Sequence, residues 1–151
     1  MPQTTVALEP TRALEGQATQ IDHAVSAAVE TAAGVGPGRM LLAGSNENGA
    51  IIPAGGLASP LGFTILRTSD VEGGASVMFA QYAGVSLLRK GTIWLRCVDA
   101  VAKGVKPYIQ HTTADAGRPQ TAVTTGVQVD GIVCIVGAGA GELGKFEVNL
   151  P

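Results

Sequence analysis

Aromatic residues make up only 4% of this 151-residue chain, charged residues only 15%, and cysteine occurs twice, at Cys97 and Cys134. Each shortage removes a class of protein. Two cysteines far apart in sequence supply neither a disulfide framework nor a zinc site, and since each lies inside an apolar run, both are expected as small buried hydrophobes. The few aromatics are dispersed, which counts against the exposed aromatic cluster of a carbohydrate- or small-molecule-binding module; that module remains the alternative reading. A net charge of −2 counts against a dedicated nucleic-acid binder, whose affinity rests on counterion release by Lys and Arg. No apolar run reaches the roughly 18 residues of a membrane helix, and Met1–Thr5 lack the basic and apolar regions of a signal peptide. Synthesis in the cytosol is therefore expected, with no membrane partner and with transport elsewhere only as part of an assembly.

What the chain has in quantity is glycine, 21 residues, and hydrophobic side chains, 46% of the total. The glycines follow no three-residue period, so collagen is excluded, and short Leu, Val and Ile runs between them favour many short strands joined by tight turns. Residues 1–16 have no sustained period and read as an extended arm. Over 17–33, Ile21, Ala24, Val25, Ala28 and Val29 recur at helical spacing, which predicts one short amphipathic helix that Gly34, Gly36, Pro37 and Gly38 terminate. An N-terminal arm, 1–37, would thus precede a body, 38–151, and its deletion is expected to leave the body folded.

Candidate strands in the body are 39–43, 50–52, 62–67, 77–81, 85–89, 92–98, 106–110, 127–136 and 145–150. Their spacing and intervening turn residues predict a mainly β, antiparallel, jelly-roll-like sandwich or barrel. Lys90-Gly91 between two apolar runs has the form of a two-residue hairpin turn. In the run 92–98, Ile93, Leu95 and Cys97 share one face; Thr92, Trp94 and Arg96 share the other.

The search for chemistry yields no catalytic residue, cofactor or metal site. Gly139-Ala140-Gly141-Glu142-Leu143-Gly144 spells a dinucleotide fingerprint, but the motif requires a following helix and a second strand. The next residues alternate as a strand, so a hairpin turn is expected. His23 and His111 lack metal-ligand spacing, and the carboxylates are scattered apart from Asp70 and Glu72. The one concentrated feature is basic: residues 89–106 carry Arg89, Lys90, Arg96, Lys103 and Lys106 against Asp99 alone. Solubilising charge on exposed strands is one reading, and contact with an acidic partner is the other.

Two stretches, Gly91-Thr92-Ile93-Trp94-Leu95 and 101–108, together with Gly38-Arg39 and the strand Gly62-Phe63-Thr64-Ile65-Leu66-Arg67, resemble the cement, or head-decoration, proteins of tailed bacteriophages. The resemblance covers about 38–150. It implies a non-enzymatic virion protein that binds the outer surface of the phage head and clamps neighbouring major capsid protein subunits, with no direct nucleic-acid contact. Head-decoration proteins often occupy threefold positions, so the resemblance also implies a homo-oligomer, a trimer with a dimer as alternative. The contact is expected to use Ile21 and Val25 of the arm, Trp94, and the basic residues Arg89, Lys90 and Arg96.

Overall fold

The computed structural model describes residues 13–66 and 78–151. Its elements are β1 (Ala18–Val29), β2 (Met40–Ala43), β3 (Gly49–Ile51), β4 (Pro60–Thr64), β5 (Gly84–Arg96), β6 (Tyr108–Gln110), β7 (Pro119–Gln120), β8 (Gly126–Gln128), β9 (Ile132–Val136) and β10 (Leu143–Asn149). The fold is mainly β and sandwich- or barrel-like, as the turn-punctuated apolar runs require.

The helix expected over 17–33 is a strand instead. Residues 19–24 of β1 are exposed throughout, so the helical spacing of Ile21 and Ala24 marks no buried face. Farther along, Ala27 and Val29 are buried with half-buried Ala28 between them, which is the period of two of a strand. The partner decides the matter: β1 runs antiparallel to β5 from Ala18↔Ile93 to Ala28↔Gly84, and this long ladder overrides a weak local pattern. Upstream of β1, Gly16 N–H donates to the Trp94 carbonyl at 2.8 Å and Leu66 N–H to the Gly16 carbonyl at 2.8 Å. Within the expected arm, 1–37, β1 is thus a strand of the main sheet; residues 1–12 of that arm lie outside the described residues.

Strand pairing closes a ring, β1–β3–β2–β4–β5 and back to β1. The β1–β3 pair is parallel and the others antiparallel. One core includes Val29, Leu41, Ala50 and Leu87 from four of these strands, with Val35 and Phe79 from the connections. A second core packs Met40, Leu42, Phe63 and Leu88 against Ile93, Leu95, Ile132, Cys134 and Phe146 of β5, β9 and β10, and Ile109 of the small sheet β7–β6–β8. Successive residues Met40, Leu41 and Leu42 are all buried because β2 is covered on both faces. Cys97 and Cys134 are buried and unbridged in the second core, and desolvation pushes the Cys97 thiol up to about 11.

Strand β5 serves both cores by changing face. Val85 and Leu87 belong to the first core, but Leu88 and then Ile93 and Leu95 to the second. The change spans Lys90-Gly91, where the β1 register slips beside His23 and Gly91 adopts φ +145°. The predicted hairpin there is therefore corrected: the glycine bends one continuous strand instead of reversing the chain. A bulge and a hairpin turn draw on the same conformational freedom of glycine, and only the pairing partners tell them apart.

Other boundaries moved less. The run 127–136 divides into β8 and β9 at a turn through Asp130-Gly131. Phe79 of the run 77–81 forms an isolated bridge with Val35, whereas Val77 and Arg67 lie outside the described residues. The glycines at 139–144 lead from β9 into β10 through a turn in which Glu142 N–H donates to the Gly139 carbonyl at 3.1 Å.

One loop depends on a carboxylate. Glu30, just after β1, accepts hydrogen bonds from Ser45 N–H at 2.9 Å and Asn46 N–H at 2.7 Å. These bonds, led by Ser45, hold its carboxyl below the usual range. A Cβ on Gly49 would stand 1.8 Å from Glu30 Oε1, so the carboxylate passes where any other side chain would begin. Because the folded pKa is depressed, Glu30 contributes stability above its unfolded pKa, and that contribution disappears as pH falls through the folded value. Glu30→Gln should accordingly lower the urea midpoint at neutral pH, with the gap from wild type closing on acidification; a gap constant across that titration would mean the carboxylate charge is immaterial.

Candidate interaction surface

Beyond the bend, β5 is flanked by the first half of β1 on one side and by β10, then β9, on the other. Alternation sends Ile93 and Leu95 into the core and leaves Thr92, Trp94 and Arg96 half-exposed. Register sets their neighbours: Lys145 lies opposite Trp94, Glu147 opposite Thr92 and Asn149 opposite Lys90. Directly opposed residues share a face, so Lys90, Thr92, Trp94, Lys145, Glu147 and Asn149 stand together on the side away from the core.

Specific contacts order this face. The Lys145 ammonium sits 5.9 Å from the Trp94 ring centroid, within cation–π range. The Thr19 and Thr92 hydroxyls are 2.6 Å apart. Between β1 and β10 a shallow hollow of about 220 Å³ is lined by Gln20, Asp22, Lys90, Thr92, Glu147 and Asn149. Its charges are mixed and its backbone is held by ladders on both sides of β5. Chemically it can donate and accept hydrogen bonds to another protein surface and offer the indole as an apolar anchor.

The six residues expected at a contact do not assemble into one site. Lys90 is exposed and Trp94 half-exposed on the face just described. Ile21, 54% exposed, lines a separate groove with Ala24, Ile65 and Leu66. Val25 packs against the ring core. Arg89 points back into the fold, with Nη1 donating to the Leu61 carbonyl at 3.0 Å and Nη2 to the Pro151 carbonyl. Arg96 is also engaged internally, with Nη1 on the Gly141 carbonyl at 2.6 Å and Nε 3.3 Å from Glu15 Oε2.

Sequence reasoning missed the cluster to which Arg96 belongs. Glu15 bridges two arginines: its Oε1 lies 2.8 Å from Arg118 Nε and its Oε2 3.0 Å from Arg118 Nη2, in a two-pronged pair. Arg118 Nη1 also meets Asp115 at 2.5 Å. Burial pulls the Arg118 pKa down, but the Glu15 and Asp115 contacts outweigh it and raise the value. Arg39 lies beside them, its Nη1 donating to the Ala114 and Ala116 carbonyls at 2.8 and 2.9 Å. No motif announces this group, because Glu15 stands 81 positions from Arg96 and 103 from Arg118.

Comparison with known proteins agrees with the architecture. A chain from the capsid of Myoviridae phage XM1 has the same fold, with a TM-score of 0.69 at 16% identity, covering 99% of this chain and 98% of that one. No curated protein matches. Residues 2–149 match the family model described as structural cement protein (E217 gp24/Pam3 gp6). A match over nearly the whole sequence, on an all-β fold with an ordered, outward-facing sheet, places the chain in the phage structural cement protein family, as a capsid cement component of the virion.

Proposed function

We propose that this protein binds the outer surface of the assembled phage head and bridges neighbouring major capsid protein subunits, using the outer face of β1, β5, β10 and β9. The observation that carries the reading is the combination of family membership with a rigid open sheet face bearing Trp94, Lys90 and Lys145. An aromatic ring beside a cation suits a protein contact, where Trp is enriched among residues that dominate binding energy. Repetition over the head multiplies modest individual contacts into strong retention. Self-association as a trimer, with a dimer as alternative, would place several such faces in one assembly.

Co-sedimentation with heads that lack the protein tests this. Wild type should pellet with the heads, and Trp94→Ala should weaken binding by about 30-fold, the loss typical of an interfacial hot spot. Lys90→Glu should weaken binding less, and added salt should reduce the difference. Equal retention of wild type and Trp94→Ala would remove this face from the contact, and light scattering of a strictly monomeric chain on and off heads would remove the oligomer.

A further inference from the structure

The arginine cluster lines a second cleft, about 330 Å³ in volume, walled by Glu15, Arg39, Arg96, Arg118, Pro37 and Met78. Among the described residues the charges there do not balance. Three guanidinium groups face two carboxylates, and both carboxylates are committed: Glu15 to Arg96 and Arg118, Asp115 to Arg118. Arg39 has only the two carbonyls on Nη1; its Nε is buried without an acceptor, and Nη2 has none among the described residues. Carbonyl oxygens satisfy donors but leave the net charge in place. Burial, then the Arg118 charge, lowers the Arg39 pKa, and the opposing pull of Glu15 and Asp115 does not offset them.

The unpaired edge has a definite shape. Nε and Nη2 lie on the same side of a guanidinium, parallel donors that match the two oxygens of one carboxylate. With Nη1 anchored on the 114–116 backbone, that edge is held in a fixed orientation. We propose that the cleft receives an Asp or Glu side chain from a capsid subunit, which pairs with the Nε–Nη2 edge of Arg39. This rests on the capsid-binding reading above and adds to it a second contact and the chemistry of the partner. Seating both oxygens calls for a rotamer change in the cleft wall, which Met78, 58% exposed, is placed to make. A docked carboxylate would bring the local charge to zero, and in a partly buried site a matched pair is far less costly than a lone cation.

The probes are two short peptides, acetyl-Gly-Asp-Gly-amide and its Asn counterpart, titrated into the full chain while the arginine Nε–Hε signals are followed by NMR. The Asp peptide should shift the Arg39 signal saturably at millimolar concentration, and the Asn peptide should not. Glu15→Gln removes a competing carboxylate and should tighten the Asp peptide at least threefold, a gain that a purely structural role for the cluster would not produce. No Arg39 shift, equal shifts with both peptides, or weaker binding by Glu15→Gln would each overturn the proposal. On heads, Arg39→Gln that melts like wild type should bind about tenfold more weakly, equivalent to about 1.4 kcal/mol. Unchanged head binding by that variant defeats the cleft contact and leaves the capsid-binding reading intact. Failure of wild type to bind heads defeats that reading, and the capsid carboxylate with it.

Discussion

A chain truncated to begin at Gly38 is expected to lose its cooperative fold. The cut removes β1, the strand that closes the ring between β3 and β5, and so opens two sheet edges at once. It takes Ala27, Val29 and Val35 out of the first core. Fully burying an apolar side chain such as valine is worth about 1.5–3 kcal/mol, and the β1–β5 ladder is lost besides. Against a total stability of about 5–15 kcal/mol for a typical domain, these losses leave no margin. Circular dichroism and thermal melting should show no cooperative transition in the truncated chain. A wild-type-like melt would mean that β1 is attached to the barrel without supporting it.

The second large effect is expected at the bend of β5. Gly91 has φ +145°, and a Cβ there would stand 2.0 Å from the Gln20 carbonyl oxygen of the paired strand. Gly91→Val therefore meets both a forbidden backbone conformation and a collision with main chain that cannot rotate away. We expect a loss of about 3 kcal/mol or more, the range of combined backbone strain and overpacking. Gly141→Ala is the control: its φ is also positive, +75°, but nothing lies within 4 Å of the added methyl. It should cost about 1 kcal/mol, the penalty of a left-handed residue alone. Urea midpoints of the two variants make the comparison, and equal losses would show that contact with β1 adds nothing at Gly91.

How much was legible in the sequence follows from where each piece of information resides. Short apolar runs between turn residues gave the β class, and the alternation in 92–98 placed Ile93, Leu95 and Cys97 in the core opposite Thr92 and Trp94. Those signals are local. Misreading began where a local pattern had two structural solutions: Gly91 as turn or bend, and the spacing of Ile21 to Val29 as helix or strand. Both were decided by pairing between residues about 70 positions apart, which no window of sequence contains. Nor could the sequence show that the basic stripe divides, with Arg89 and Arg96 hydrogen-bonded to Leu61, Pro151, Glu15 and Gly141 while Lys90, Lys103 and Lys106 stand exposed. Lys90 remained exposed because it stands at the bend and outside the core. The Glu15–Arg118 pair lay beyond sequence reasoning for the same cause, since a single glutamate before β1 carries no sign of its distant partner.

The two surfaces have complementary physical characters. The sheet face offers an indole, a neighbouring ammonium and mixed polar groups on ladders fixed at both edges. The cleft would offer one directional donor pair on Arg39, and its wall includes Arg96, which continues the same strand as Trp94. A broad contact supplies buried area while the charged socket fixes register, the usual division between affinity and specificity in protein interfaces.

The most direct test of the cement role is the temperature at which purified heads rupture and release packaged DNA, measured for heads without the protein and for the same heads saturated with it. A cement clamps subunits against separation, so saturated heads should rupture at a higher temperature, with Trp94→Ala giving a smaller rise at equal concentration. An identical rupture temperature with and without bound protein would contradict the account.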